Sequence, residues 1–280
     1  MKNTQVKYLL ISLTILSLFT KCTTSSYYLN AFNGNHHYYH SMPLRSDSIK
    51  SASYFSGTIV WGDANYHDEV ESFTAYFHRT HSFGIVQTFY GADLSVGGYN
   101  VSKQKYSRYG MIDTAHISTL NRMAGQKFFG GYGFDGGLNI AVPVGMKGAE
   151  WRIIGFETSL QEEFGSYLKF RRNIPDSFAY VNMNSSFFPT IGLTTEIILK
   201  SEMSSFGYKI AIGTSLKRQD QNKISLNGIM KDGNNPFYFV QTFSCSFQSW
   251  TIYGQLNIAS YSIFLQGGFN YNLSSKRKKK

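Results

Sequence analysis

The chain has 280 residues, 27 Lys and Arg against 17 Asp and Glu, a net charge of +10 and only 2 cysteines. Lys2, Lys7 and Lys21 sit in the first segment and Lys276, Arg277, Lys278, Lys279 and Lys280 end the chain; without these eight the body carries about +2, so nucleic-acid binding has no electrostatic basis. Aromatic residues at 16%, with 26 Gly and 5 Pro, suit strands and the girdles of membrane barrels; a mean hydropathy of −0.23 excludes a bundle of apolar helices but not a barrel, where alternate residues face lipid.

Residues 1–21 read as an export signal. Lys2 and Lys7 make a basic start, and Tyr8 to Thr20 form an apolar run of about a dozen residues, short of the roughly 20 a membrane helix needs. The run ends in Phe19-Thr20-Lys21-Cys22, followed by Thr23-Thr24-Ser25-Ser26. A cysteine so placed resembles a bacterial lipobox, in the looser form of Bacteroidota-type outer-membrane β-barrel lipoproteins, with Lys21 where Gly, Ala or Ser is usual. The resemblance implies cleavage before Cys22 and acylation, typically palmitate, of its thiol. It covers only the first two dozen residues.

Residues 22–50 are rich in Tyr, Asn, His and Ser and show no useful periodicity. They are expected to form a lipid-anchored tether or a periplasmic segment lying against a barrel mouth. His36, His37 and His40 offer imidazoles for Zn²⁺ or Cu²⁺, but Asn33 and Gly34 mark a loop and no acidic or thiol ligand sits beside them. They read as structural or solvent-exposed side chains, and no metal is assigned.

Residues 51–273 carry a period-2 pattern. Phe55, Ile59 and Trp61 suggest one strand, Phe73, Ala75 and Phe77 a second, and Val86, Tyr90, Leu94 and Val96 a third. Tyr132 to Val144 alternates against Gly133, Asp135, Gly137 and Asn139, and Ile154, Phe156 and Leu160 against Gly155, Glu157 and Ser159. Ile191 to Leu199 (with Ile198 out of step), Phe206 to Leu216, Phe237 to Phe247, Trp250 to Ile258 and Tyr261 to Leu273 complete the series. The fold expected is all-β: an antiparallel up-and-down membrane barrel of about 10 strands, within a range of 8 to 12. Several strands run to roughly 9–13 residues, the length of tilted membrane strands rather than the roughly five or six of globular ones. The connections come to about 9, 3, 32, 6, 16, 6, 19, 2 and 2 residues, long and short in turn except the last. Long outer loops and short periplasmic turns give that rhythm. An even strand number puts both barrel ends in the periplasm, compatible with a lipid on Cys22 in the inner leaflet. Residues 274–280 form a basic, solvated tail.

Chemistry is sparse. Cys245 lies in an apolar strand register and reads as an inert thiol. His67, Asp68, Glu69, His78, His81, Asp113, His116 and Ser118 are the residues an outer-rim hydrolase would draw on, yet they match no catalytic motif. No catalytic residue and no cofactor is assigned, and the ligand-binding residues stay unknown. The inner-face charges Asp135, Glu157, Glu196, Lys200 and Lys209 are expected to pair across a narrow lumen as a structural plug. Trp61, Trp151 and Trp250 fit interfacial belts. The function expected is a non-catalytic outer-membrane barrel lipoprotein acting through its outer loops, structural, adhesive or binding. The alternatives are a soluble, lipid-anchored periplasmic barrel holding an apolar ligand or glycan, and an outer-membrane enzyme acting on lipid or peptide. The partners expected are outer-membrane lipid and other envelope proteins, with oligomeric state open.

Overall fold

Alternation of apolar and small polar residues over ten long segments leaves each segment one way to satisfy its backbone in lipid, by pairing on both sides. The computed structural model shows that arrangement. It describes residues 27–276 apart from 48, 66–67, 104–117, 119–120, 146–148, 175–180, 202, 219, 226–227 and 232–234. The elements are β1 (Tyr27–Tyr28), β2 (Ser51–Ala64), β3 (Asp68–Phe83), β4 (Val86–Val101), β5 (Gly125–Val144), β6 (Ala149–Gly165), α1 (Ser166–Asn173), β7 (Val181–Asn182), β8 (Phe187–Lys200), β9 (Ser204–Ser215), β10 (Asp220–Ser225), β11 (Gly228–Lys231), β12 (Phe237–Phe247), β13 (Trp250–Ala259) and β14 (Ser262–Asn272). Ten strands, β2 to β6, β8, β9 and β12 to β14, close into one antiparallel barrel, sealed where β14 pairs β2 from Ser262↔Ala64 to Asn272↔Tyr54.

The apolar face is the outer one. Ile59, Trp61, Leu94, Phe134, Phe243, Ile252 and Leu265 are exposed, Leu94 at 68%, while Thr58, Gln87, Ser95, Asn139, Thr242, Asn257 and Asn270 are buried inside. A barrel with its oil outside and its amides inside is built for a lipid solvent, which rules out the soluble, lipocalin-like alternative. Ile198 is not a break in register; it points inward, buried between outward Ile197 and Leu199. In β6 a register shift between Arg152 and Gly155 turns both Ile153 and Ile154 outward and re-aims Arg152 into the lumen.

The connections segregate by length. On one end lie 102–124, 166–186 and 216–236, with the short turns 65–67 and 260–261; on the other lie 84–85, 145–148, 201–203 and 248–249, together with the start of β2 and the end of β14. The first connection, expected at about 9 residues, has three because β2 and β3 extend further than their apolar residues indicate. Trp61 lies toward the long-loop end, and Trp151 and Trp250 at the short-turn end. In the connection 102–124, helical residues are described at 118 and 121–123.

α1 was not foreseen. It follows Gly165, whose φ of 124° suits glycine, buries Tyr167, Leu168, Phe170 and Arg171, and places Arg171 and Arg172 in its last turn, where cations favour the helix dipole. Beneath it lies the apolar core: Tyr28, Phe32, Tyr99, Phe129, Tyr167, Phe170, Phe188 and Phe264 pack together at the long-loop mouth. There β1 pairs in parallel with β7, which pairs antiparallel with β10, which in turn pairs with β11.

Candidate functional site

The lumen is occupied by the protein's own N-terminal segment. Residues 27–44, expected as a tether or a piece against the mouth, are buried almost without interruption. The segment has little regular structure, so its backbone groups need partners from the wall. Down the barrel, Tyr167 donates to Leu29 O at 3.0 Å, Gln266 to Asn35 O at 3.1 Å, Gln255 to His37 O at 2.6 Å, His78 to Ser41 O at 3.2 Å and Gln87 to Pro43 O at 3.2 Å. Glu163 accepts from Ala31 N at 2.9 Å and Glu150 from Arg45 N at 2.7 Å. The inward amides and carboxylates of several strands thus act together as a pairing surface for one passing chain.

The side chains of the segment lock to the charged lining. His37 lies 3.3 Å from Glu157, which also pairs with Lys209 across the intervening β8. His40 pairs with Asp135 and stacks on Phe89. Tyr39 donates to Glu196 at 2.7 Å and accepts from Ser244 at 3.1 Å. Glu196 pairs with Arg152, whose Nε donates to Gln87 at 2.6 Å and whose Nη2 donates to Met42 O at 3.3 Å. Tyr38 reaches Ser95 at 3.3 Å. At the short-turn mouth Lys200 pairs with Asp47 at 2.7 Å. Asp135, Glu157, Glu196, Lys200 and Lys209 therefore do pair, but mostly with or around a polypeptide rather than across an open bore.

At the long-loop mouth the seal is aromatic. Tyr27 stacks on Tyr261 at 3.7 Å, Tyr99 on Tyr167 at 3.9 Å, and Tyr28 meets Phe170 edge-on at 5.2 Å. Burial holds the Tyr167 hydroxyl well above its ordinary range, so it stays a neutral donor. Buried Arg171 pairs with Glu163 at 2.6 Å beneath it. Of the better-formed voids, one lies between Tyr27, Asn65 and Phe264 and another between His37, Asp135 and Ser159; each has room for about one water.

The other residues singled out in the sequence disperse. His36 hydrogen-bonds Phe32 O at 2.7 Å and meets Phe188 and Tyr238 edge-on, so the three histidines point to different partners. Among the described residues no group of three or more His, Cys, Asp or Glu is placed to hold a metal. His78 faces the lumen, stacked on Tyr54, whereas His81 points outward beside Tyr90; neither reaches the outer rim. Asp68 is buried and accepts from Tyr99 at 3.0 Å and Ser102 N at 2.8 Å, tying down the loop root. Cys245 is a half-buried free thiol in register with outward Phe206 and Ile252. Cys22, His67, Asp113 and His116 lie outside the described residues. Arg152, Gln255 and Gln266, which hold the segment, escaped sequence reasoning; the signal available for Gln255 and Gln266 was their place on the polar face of otherwise apolar strands, whereas strict alternation puts Arg152 on the face of Ile154 and Phe156.

A closed ten-stranded antiparallel barrel, apolar outside and hydrogen-bonded inside, defines an outer-membrane β-barrel. No family model matches the chain, and no curated protein matches it in sequence. Among solved structures it is similar to an outer membrane channel from Pseudomonas putida (8% identity, 84% of this chain and 100% of that one, TM-score 0.42). It is also similar to the translocator domain of autotransporter NalP from Neisseria meningitidis (8%, 81% and 89%, 0.36) and to the Pseudomonas putida toluene transporter TodX (10%, 89% and 95%, 0.33). At these values the likeness carries no argument about activity, and the class rests on the strand pairing and faces described above.

Proposed function

We propose that this protein is a closed, non-conducting barrel lipoprotein of the outer membrane that serves as a fixed platform, with its long-loop face as the contact surface for other molecules. The observation that carries the reading is the filled lumen: a backbone bound by inward side chains from several strands leaves no path for a solute. The three long connections all emerge on one face, and the opposite face carries short turns alone, the asymmetry of barrels whose outer loops carry contacts. The lipid anchor rests on Cys22 alone.

Single-channel recording tests it. Purified wild-type protein in a planar bilayer is expected to show no steady conductance, while a chain lacking residues 27–47 that still migrates as a folded barrel on an unheated gel conducts. A porin-like steady current through the wild-type protein overturns the reading. The contact role is tested on intact cells: trimming 104–117 and 175–180 is expected to weaken surface binding of antibodies raised against the folded protein while leaving the barrel folded.

A further inference from the structure

The path of residues 27–50 decides on which side of the membrane the N-terminal end of the chain emerges. Tyr27 and Tyr28 pair with Val181 and Asn182 in the long connection after β6. Tyr27 N donates to Asn65 Oδ1 in the β2–β3 turn at 2.8 Å, and its ring stacks on Tyr261 in the β13–β14 turn. All three contacts lie on the long-loop end. The far end of the segment is anchored at the opposite mouth: Arg45 Nε donates to Gly84 O in the β3–β4 turn at 2.9 Å, Asp47 pairs with Lys200 at the end of β8, and β2 starts at Ser51. Long loops face the cell exterior and short turns the periplasm, so the chain enters at the outer mouth and leaves at the periplasmic one.

We infer that the N-terminal end of the mature chain lies on the cell surface and that Cys22 carries its acyl chains in the outer leaflet of the outer membrane. The leaflet assignment rests on the lipoprotein reading; the topology does not. Cys22 precedes Tyr27 by five residues, which span at most about 18 Å even when fully extended. The apolar belt around such barrels is about 25 Å tall, so the inner leaflet is out of reach along the outside of the barrel. The lumen offers no second route, because residues 27–44 fill it. The outer leaflet lies beside the rim where Tyr27 is held, and the small polar residues Thr23 to Ser26 suit a short spacer over that rim. This replaces the inner-leaflet placement drawn from strand number, which holds for the ends of the barrel but not for a chain that has already crossed it. It also gives the lipid a mechanical role: an acyl group too large and too apolar to enter a polar lumen stops the segment from sliding out toward the periplasm.

The test uses the full chain in a host with an outer membrane. A short epitope is inserted between Thr24 and Ser25, and in a second chain the same epitope follows Lys280. Antibody binding is compared on intact cells and after permeabilising the outer membrane, with heat-dependent gel migration checking that each barrel is folded. The Thr24 epitope is expected to bind equally in both states, and the Lys280 epitope only after permeabilisation. A Thr24 epitope seen only after permeabilisation overturns the topology. Where the insertion prevents folding, Thr24→Lys in the uninterrupted chain is labelled with a membrane-impermeant amine-reactive biotin, and absence of label on the N-terminal peptide from intact cells overturns the topology equally. The mass of that peptide is read from the same cells: acylated Cys22 upholds the leaflet assignment, and unacylated Cys22 with surface labelling overturns the lipoprotein reading while upholding the topology.

Discussion

Arg152 ties the barrel wall to the chain inside it. At 1% exposure it pairs with Glu196, lies 3.5 Å from Glu150, and donates to Gln87 and to Met42 O. A buried guanidinium is costly to desolvate and is offset here by carboxylates that would be stranded without it. Arg152→Met is therefore expected to destabilise the barrel by about 3–5 kcal/mol, read as a lower urea midpoint in detergent micelles. Pairing it with Glu196→Gln should restore part of that loss, and an unchanged midpoint for the single variant would rule out a structural role for the pair. Glycine sets the other limit. A Cβ on Gly131 would overlap the ring of Phe32 in the luminal segment, whereas one on lipid-facing Gly267 meets nothing within 4 Å. Gly131→Leu should cost on the order of 1–3 kcal/mol through overpacking and Gly267→Ala much less, both measured by the same urea series. Period-2 alternation identifies Glu157, Glu196 and Lys209 as luminal from sequence, but it gives a face and not a depth, so their partners were not legible. Arg152 was hidden by the register shift beside Ile153 and Ile154.

The strands and the luminal segment obey different physics, and this explains why one was readable and the other was not. A strand pays its backbone through ladders and sorts its side chains by solvent, so lipid outside and polypeptide inside leave a visible alternation over the ten barrel strands. The segment at 27–47 makes almost no ladder; its carbonyls are met by Gln266, Gln255, His78 and Gln87, residues far away in sequence. Its Tyr, Asn, His and Ser composition, which resembles a linker, is what a narrow polar lumen accepts. α1 left a trace, since Tyr167, Leu168, Phe170 and Arg171 share a buried face, but eight residues are too few to stand out. The strand assignment is testable through its outer face. Leu94 sits midway along β4, between outward Ala75 and Tyr132 on neighbouring strands. Leu94→Lys should cost about 2–4 kcal/mol near the bilayer midplane, measured by urea unfolding in lipid vesicles, with Leu94→Ala costing less. Equal midpoints for the two variants would sink the lipid-facing assignment.

At the scale of the whole molecule, the apolar belt and the proposed lipid differ in how strongly each would hold the protein in its membrane. Acyl chains on Cys22, as proposed above, would add hydrophobic transfer at one point, with about 0.8 kcal/mol for each buried CH₂ group. The barrel presents an apolar belt around its full circumference, with Ile59, Leu94, Phe134, Phe243, Ile252 and Leu265 contributed by β2, β4, β5, β12, β13 and β14. Withdrawing it would expose all of these at once or require ten strands to separate, each bonded on both sides. Retention should therefore be independent of the lipid. Cys22→Ala is expected to stay in the pellet after carbonate extraction to the same extent as wild type and to keep its heat-dependent gel shift. Under the proposed surface anchoring the substitution removes the stop at the outer mouth, so its effect should appear in the luminal segment, as faster protease cleavage within residues 23–50 of the purified barrel. Release of the Cys22→Ala protein into the carbonate supernatant would show that the lipid, not the belt, is the anchor, and would overturn the integral-barrel assignment.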